Sequence, residues 1–250
     1  MKEDYFFRNE NGERISATLE YFNKGNDIVV VSHSYASHKD GPLIQDVVEA
    51  LRERGIDSLR FSYSGCRGSE GNFAEKTITE STKDLEAAIR SVRERDYQRV
   101  HLFGASGGGT ISMAYAVLNP ADIHSLALKS PVWDYPAQRE HRYGPKFLER
   151  WANEGFILYK DRIRVNYTFI EDAEANWNMF RRAQEIQCPT LIVHGTKDEE
   201  VPVETGRKGS RLIIGSMYVE VNGADHDLKV EGKNTPTGGI IAGWLKDQMH

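Results

Sequence analysis

Cysteine is nearly absent. Cys66 and Cys188 are the only two in 250 residues, lie far apart in sequence and form no C-x-x-C pair. This excludes a disulfide framework and a cysteine zinc site, and fits free thiols in a cytosolic protein. Long apolar runs are also missing. The longest, Ile28 to Val31, is far too short to cross a bilayer, and mean hydropathy is -0.55. The opening residues, Met1 to Tyr5, hold no apolar stretch of the kind that directs export, so a cytoplasmic location is expected. There is no basic surplus: 32 Lys and Arg face 37 Asp and Glu, a net charge of -5, which argues against a nucleic-acid partner. The local basic runs Arg139–Arg142 and Arg207–Arg211 read as solvated faces. With 22 Gly and 8 Pro, the composition is neither collagen-like nor of low complexity. No internal repeat or linker interrupts the chain, and its length suits one α/β domain.

What is present is an alternation of strand and helix patterns. Tyr5-Phe6-Phe7, the turn signal Asn11-Gly12 and the alternating Ile15, Ala17, Leu19 and Tyr21 predict an N-terminal hairpin. Ile28 to Val31 is a continuous β-branched run, as in strands buried on both faces. Leu43, Ile44, Val47, Val48 and Leu51 recur at helical spacing before Gly55. Strands follow over 58–63, 100–105, 123–129, 190–194 and 217–221. Helices are expected over 77–95, opened by the capping box Thr77-Ile78-Thr79-Glu80, and over 107–118, 203–213 and 237–249. Such alternation predicts a mostly parallel, twisted sheet with helices on both faces.

One stretch breaks this rhythm. About sixty residues separate the strand ending near Lys129 from the one starting at Thr190, where a connection of roughly 2–6 residues is usual. Residues 131–180 hold 11 of the chain's 25 aromatic residues. Within them Ile163, Val165, Tyr167 and Phe169 alternate, which predicts a strand in a hairpin turning near Lys160-Asp161. The expected organisation is a core domain over 1–130 and 186–250, with a small cap inserted at 131–185.

The most informative segment is Gly104-Ala105-Ser106-Gly107-Gly108, a G-x-S-x-G pattern directly after a strand and directly before a helix. A serine on so sharp a turn needs small neighbours, and the turn would aim the following amide, that of Gly107, at a reacting oxygen. A dinucleotide fingerprint would need glycine where Ser106 stands, and a P-loop would need a Gly-Lys-Ser/Thr ending. Serine also needs a base to take its proton, and on such an elbow the order along the chain is serine, acid, histidine. Of eight histidines, only His226 and the terminal His250 follow the last plausible acid strand. His226 directly follows a strand pattern, where a reaching base belongs. Asp198 stands at the carboxyl end of the strand that ends at His194, the edge where open α/β sheets place ligands. Glu199 and Glu200 compete on residue type and read as solvated charges near the next helix.

These three motifs, with His194-Gly195-Thr196-Lys197-Asp198 and Gly223-Ala224-Asp225-His226 as the acid and base loops, resemble the α/β-hydrolase superfamily over nearly the whole chain outside the cap. Ser32-His33-Ser34-Tyr35 matches the family's His-Gly segment after the third strand. By that resemblance the Tyr35 amide would be the second oxyanion donor, with Ser34 standing where glycine is usual. Phe61 to Gly71 resembles the glycine-rich loop of compact esterases and serves as a tight turn or as pocket wall. The short cap looks most like that of small serine carboxylesterases of the cinnamoyl or feruloyl type. The resemblance implies an acyl-enzyme esterase using Ser106, Asp198 and His226, with no metal or organic cofactor and a small-molecule ester as partner. A thioesterase or an aminoacyl or oligopeptidase with the same triad remains open, as do a hydrolase-fold binding protein and a homo-oligomer. Cap aromatics are expected to favour apolar or aromatic acyl groups, with Trp133 the first lining candidate.

Overall fold

The computed structural model describes residues 1–22, 25–231 and 237–249. His250, the alternative base, lies outside the described residues. Strands β1 (Lys2–Arg8), β2 (Arg14–Glu20), β3 (Asp27–Ser32), β4 (Ser58–Phe61), β5 (Arg99–Ala105), β6 (Ile123–Lys129), β7 (Phe156–Tyr159), β8 (Ile163–Asn166), β9 (Thr190–Gly195) and β10 (Met217–Val221) follow in chain order. All but β7 and β8 join one eight-stranded sheet, in the order β1-β2-β4-β3-β5-β6-β9-β10. The β1–β2 and β2–β4 pairings are antiparallel and the rest are parallel. The first turn closes on Gly12, whose φ of 77° suits glycine.

The helices are α1 (Pro42–Glu53), α2 (Ile78–Arg93), α3 (Gly107–Leu118), α4 (Tyr135–Tyr143), α5 (Phe147–Glu154), α6 (Thr168–Asn176), α7 (Met179–Arg182), α8 (Val203–Ser210) and α9 (Thr237–Asp247). The β-branched run in β3 shows how the layers form. Val29 and Val31 point into a core with Val47, Leu51, Ile241 and Leu245 of α1 and α9. Ile28 and Val30 point into the opposite core, with Leu85 and Ile89 of α2 and Met113 of α3. A continuous apolar strand is what burial on both faces requires.

The 131–185 segment lies over this second face. Its hairpin turns at Lys160 and Asp161, with φ of 51° and 57°, as the sequence suggests. The alternation is misleading beyond Asn166, because Phe169 belongs to α6. There Phe169, Ile170 and Ala173 form the buried helical face. Trp133, Trp151, Phe169 and Trp177 join the same buried cluster as Ile28 and Leu59, so the insertion shares the domain's core.

Polar contacts fix it further. Thr77 caps α2 by accepting from the Glu80 amide at 3.0 Å, but the Glu80 carboxylate pairs with Lys83 and leaves the capping box half made. Asp172 of α6 completes the helix end, accepting from the Thr79 amide at 2.9 Å and its hydroxyl at 2.5 Å. The Trp177 indole donates to the same hydroxyl at 2.8 Å. A carboxylate on free amides at a helix N-terminus is worth about 1–2 kcal/mol. Asp172→Ala should therefore lower Tm by about 2–8 °C in calorimetry. An unchanged Tm would show that this link does not hold the insertion in place.

Candidate active site

The turn between β5 and α3 is strained at one residue. Ser106 has φ 53° and ψ -116°, a region that side-chain-bearing residues avoid. Neighbouring backbone holds it there. The Ser106 amide donates to the Lys129 carbonyl at 2.8 Å, and its carbonyl accepts from the amides of Gly109 at 2.9 Å and Val132 at 3.3 Å. The glycines are required by close approach. A methyl group on Gly104 would lie 2.6 Å from the Gly108 carbonyl oxygen, and one on Gly108 would lie 2.4 Å from the carbonyl oxygens of Ser32 and His33.

Ser106, His226 and Asp198, each from a different loop at the carboxyl end of the sheet, meet in one line of hydrogen bonds. Ser106 Oγ lies 3.0 Å from His226 Nε2, and His226 Nδ1 lies 2.7 Å from Asp198 Oδ2. With a carboxylate on Nδ1, that nitrogen carries the proton and Nε2 is free to accept from the serine. The acid and base loops approach because Gly195 has no side chain; a methyl there would lie 2.4 Å from the carbonyl oxygens of Ala224 and Asp225. Asp198 Oδ1 accepts from the amides of Glu200 at 2.9 Å and Val201 at 2.8 Å.

His194 was not singled out from the sequence, where it reads only as a strand end. Its Nε2 lies 3.2 Å from Asp198 Oδ2 and 2.9 Å from the Val201 carbonyl. Burial raises the Asp198 pKa, but hydrogen bonds from His194, His226 and the Val201 amide outweigh it and hold the carboxyl well below the usual range. Burial likewise disfavours charge on His226. The Asp198 hydrogen bond and charge outweigh that, and its pKa stands above the ordinary 6.5. Glu199 is exposed, as expected, but Glu200 is half-buried and paired with Arg142 at the cleft.

The Tyr35 amide reaches the same spot. It lies 3.1 Å from where a Gly107 side chain would begin, and among the described residues neither amide donates to a protein acceptor. His33 holds this loop. Its Nδ1 is 2.8 Å from the Ser34 carbonyl, and its Nε2 accepts from the Tyr63 amide at 3.2 Å. Burial pulls its pKa down to about 3, so it stays neutral. Serine at position 34 does no harm to the loop, because the left-handed conformation falls on Ala36, φ 53°, instead. The Phe61–Gly71 loop is both a tight turn and the wall of a groove. Gly65 and Gly71 have φ of 70° and 101°, the Gly65 amide donates to the Glu70 carbonyl at 2.8 Å, and the groove the loop borders adjoins the cleft beside Ser106, sharing Ala36, Ser37, His38 and Arg162 with it.

Ser106 and His226 open into a cleft of about 520 Å³, walled by the Tyr35 loop, α4 and the tip of the β7–β8 hairpin. Two expectations fail here. Trp133 does not line it: its ring stacks on Phe180 at 5.8 Å and lies over Gly209 of α8, where a methyl would be 2.3 Å from the indole. Nor is Arg139–Arg142 simply a solvated face. Arg139 is only 4% exposed, and with Tyr135, Gln138 and Arg142 it forms the α4 face toward the cleft. Those four positions recur at helical spacing, which is the signal that could have found them. Of the insertion's 11 aromatics, only Tyr135 and Tyr159 wall the cleft.

A mostly parallel eight-stranded sheet with a serine raised on a strand–helix elbow defines an α/β-hydrolase. Residues 23–157, more than half of the chain, match the Hydrolase_4 family, described as serine aminopeptidase, S33, and the chain belongs to that family. Among curated proteins it is 28% identical over 216 residues to the mouse (Mus musculus) palmitoyl-protein thioesterase ABHD10, mitochondrial, covering 80% of this chain and 69% of that one. Among solved structures, ferulic-acid-bound Est1E from Butyrivibrio proteoclasticus superposes with a TM-score of 0.85 at 21% identity, covering 98% of both chains. Mouse α/β-hydrolase domain-containing protein 10 gives 0.78 at 20% identity, covering 98% of this chain and 97% of that one. At such identities the superpositions show the fold.

The electrostatics of the histidine can be tested directly. In a ¹H–¹⁵N NMR titration the His226 ring should protonate above pH 6.5. In Asp198→Asn, with the carboxylate gone and the burial retained, it should protonate below 6.5. A wild-type midpoint below 6.5 would contradict this reading of the hydrogen-bonded line.

Proposed function

We propose that this chain is a serine hydrolase of carboxylic esters and thioesters that works through an acyl-enzyme. The carrying observation is the Ser106–His226–Asp198 line, with the Tyr35 amide close to Gly107 beside it. Ser106 Oγ attacks the acyl carbonyl carbon as His226 Nε2 takes its proton. The carbonyl oxygen becomes an oxyanion held by the Gly107 and Tyr35 amides. As the tetrahedral adduct collapses, the proton passes from His226 to the leaving alkoxide or thiolate. Water then repeats the sequence on the acyl-serine. Asp198 keeps the imidazole in the right tautomer and stabilises the imidazolium; these steps need no metal or organic cofactor.

The 131–185 segment acts as a cap that sets specificity. With most of its rings buried, the apolar wall left near the serine consists of Tyr35, Tyr135, Tyr159, Val132, Pro42 and Leu43. It suits a planar or modest apolar acyl group. Ester and thioester chemistry is favoured over aminopeptidase chemistry by the charge of the cleft. A free substrate ammonium needs an unpaired carboxylate, but Glu200 is held by Arg142 and Asp227 by Lys229. The thioesterase name of the mouse relative and the ferulic acid in the Est1E structure support this class. Cys66 and Cys188 are buried and free, which supports a reducing compartment such as the cytoplasm. Among the described residues no helix is long and apolar enough to cross a membrane.

Ser106→Ala should fold normally, lose labelling by a fluorophosphonate and lose about 10⁴-fold or more in ester turnover. Asp198→Asn should also fall severely, and Glu199→Gln should change little. In the wild type, kcat/KM should rise with pH through a midpoint above 6.5, because only neutral His226 can accept the serine proton. Folded Ser106→Ala protein with near-normal turnover would refute the mechanism. Unlabelled wild-type protein with no hydrolysis of any ester or thioester would point to a binding protein.

A further inference from the structure

Arg139 presents a charge without a counter-ion. Its side chain lies on the α4 face of the cleft, and the residue is 4% exposed. Among the described residues no carboxylate pairs with it, and its Nε is buried without a hydrogen-bond partner. What surrounds it is aromatic: the guanidinium lies 4.9, 5.6 and 5.8 Å from the ring centroids of Tyr35, Tyr135 and Tyr159. Ring faces offset part of the cost of burying a cation, but they do not replace the hydrogen bonds of a guanidinium. The Tyr35 hydroxyl is also buried without a partner. Burial raises its pKa far above neutrality, so it remains a donor.

The rest of the cleft carries the same sign. Lys160 and Arg162 stand exposed at its mouth on the hairpin. The carboxylates lining it, Glu200 and Asp227, are taken up by Arg142 and Lys229. This cationic cleft belongs to a chain whose net charge is -5, so it does not follow from the composition.

We propose that the substrate is an ester or thioester that also carries a carboxylate, and that Arg139 binds that carboxylate. This rests on the reading of Ser106 as nucleophile. A planar carboxylate fits the donor fork of arginine, and a lysine at this position would not reproduce it. Lys160 and Arg162 at the rim would draw the anion in, and salt would weaken that attraction. The chemistry of the anchor is the same whether the carboxylate belongs to the acyl group or to the leaving group.

Matched ester pairs test this in a pH-stat. Monoethyl adipate against ethyl heptanoate places the carboxylate on the acyl side; the butanoyl ester of 6-hydroxyhexanoate against hexyl butanoate places it on the leaving group. The wild type should prefer the acid of one pair by about 10- to 100-fold in kcat/KM, the range of a charge-assisted hydrogen bond. Arg139→Met should bring that ratio close to one, and Arg139→Lys should restore only part of it. Because the wild-type ratio is itself a readout, the test stands even if a variant misfolds. Hydrolysis of the neutral esters with no preference in either pair would overturn the carboxylate anchor and leave the serine mechanism standing. A preference that survives in folded Arg139→Met would overturn the assignment to Arg139. Absence of turnover and of fluorophosphonate labelling would instead sink the mechanism on which the inference rests.

Discussion

The candidate site depends on how closely two pieces of backbone can approach. The first turn of α3 lies against the end of β3, with no room for a side chain on Gly108, and against its own strand, with no room on Gly104. That approach lets Ser106 rise off the sheet with φ 53° and brings the Tyr35 amide nitrogen to 3.1 Å from where a Gly107 side chain would begin. The strain is held by ordinary secondary structure: the Lys129 carbonyl at the end of β6 and the Val132 amide beyond it clamp the serine's backbone. A second close approach, at Gly195, brings the acid and base loops together. The geometry of the Ser106–His226–Asp198 line is thus a product of glycine placement before it is a product of the three residues themselves.

The parallel architecture was legible because its cause is local. β-Branched runs such as Ile28 to Val31 need burial on both faces, and the strand and helix signals alternate at short intervals. The elbow was legible for a related reason, since its glycines answer a steric demand set within a few residues. Asp198 and His226 are singled out by chain order and by their places at strand ends, and in the structure His226 bridges Ser106 and Asp198.

What could not be read depends on contacts distant in sequence. His194 looks like any strand-end residue until the acid loop folds back and puts Asp198 Oδ2 3.2 Å from its ring. Ring density in 131–180 says that an apolar core exists there, but not which side of it faces the cleft. Trp133 is the example: the space that accepts its indole is made by Gly209, seventy-six residues away. Arg139 was misjudged in the opposite direction. Charged residues on a short helix are usually solvated, and only the three tyrosines around its guanidinium show that this one is not.

Because the large rings of the insertion are built into the domain's own core, the insertion has little freedom to swing as a rigid lid or to vary in sequence. Swinging would pull Trp151 and Trp177 into water; replacing them would open holes in the layer beneath. The positions free of that duty are few: Tyr135 and Arg139 on the cleft side of α4 are themselves only 4% exposed, which leaves Arg142 and the hairpin residues Lys160 and Arg162. The lining of the cleft can therefore change at a handful of side chains while the scaffold stays constant. A change in what the cleft admits should then need only a few substitutions there, with less loss of stability than larger remodelling would incur.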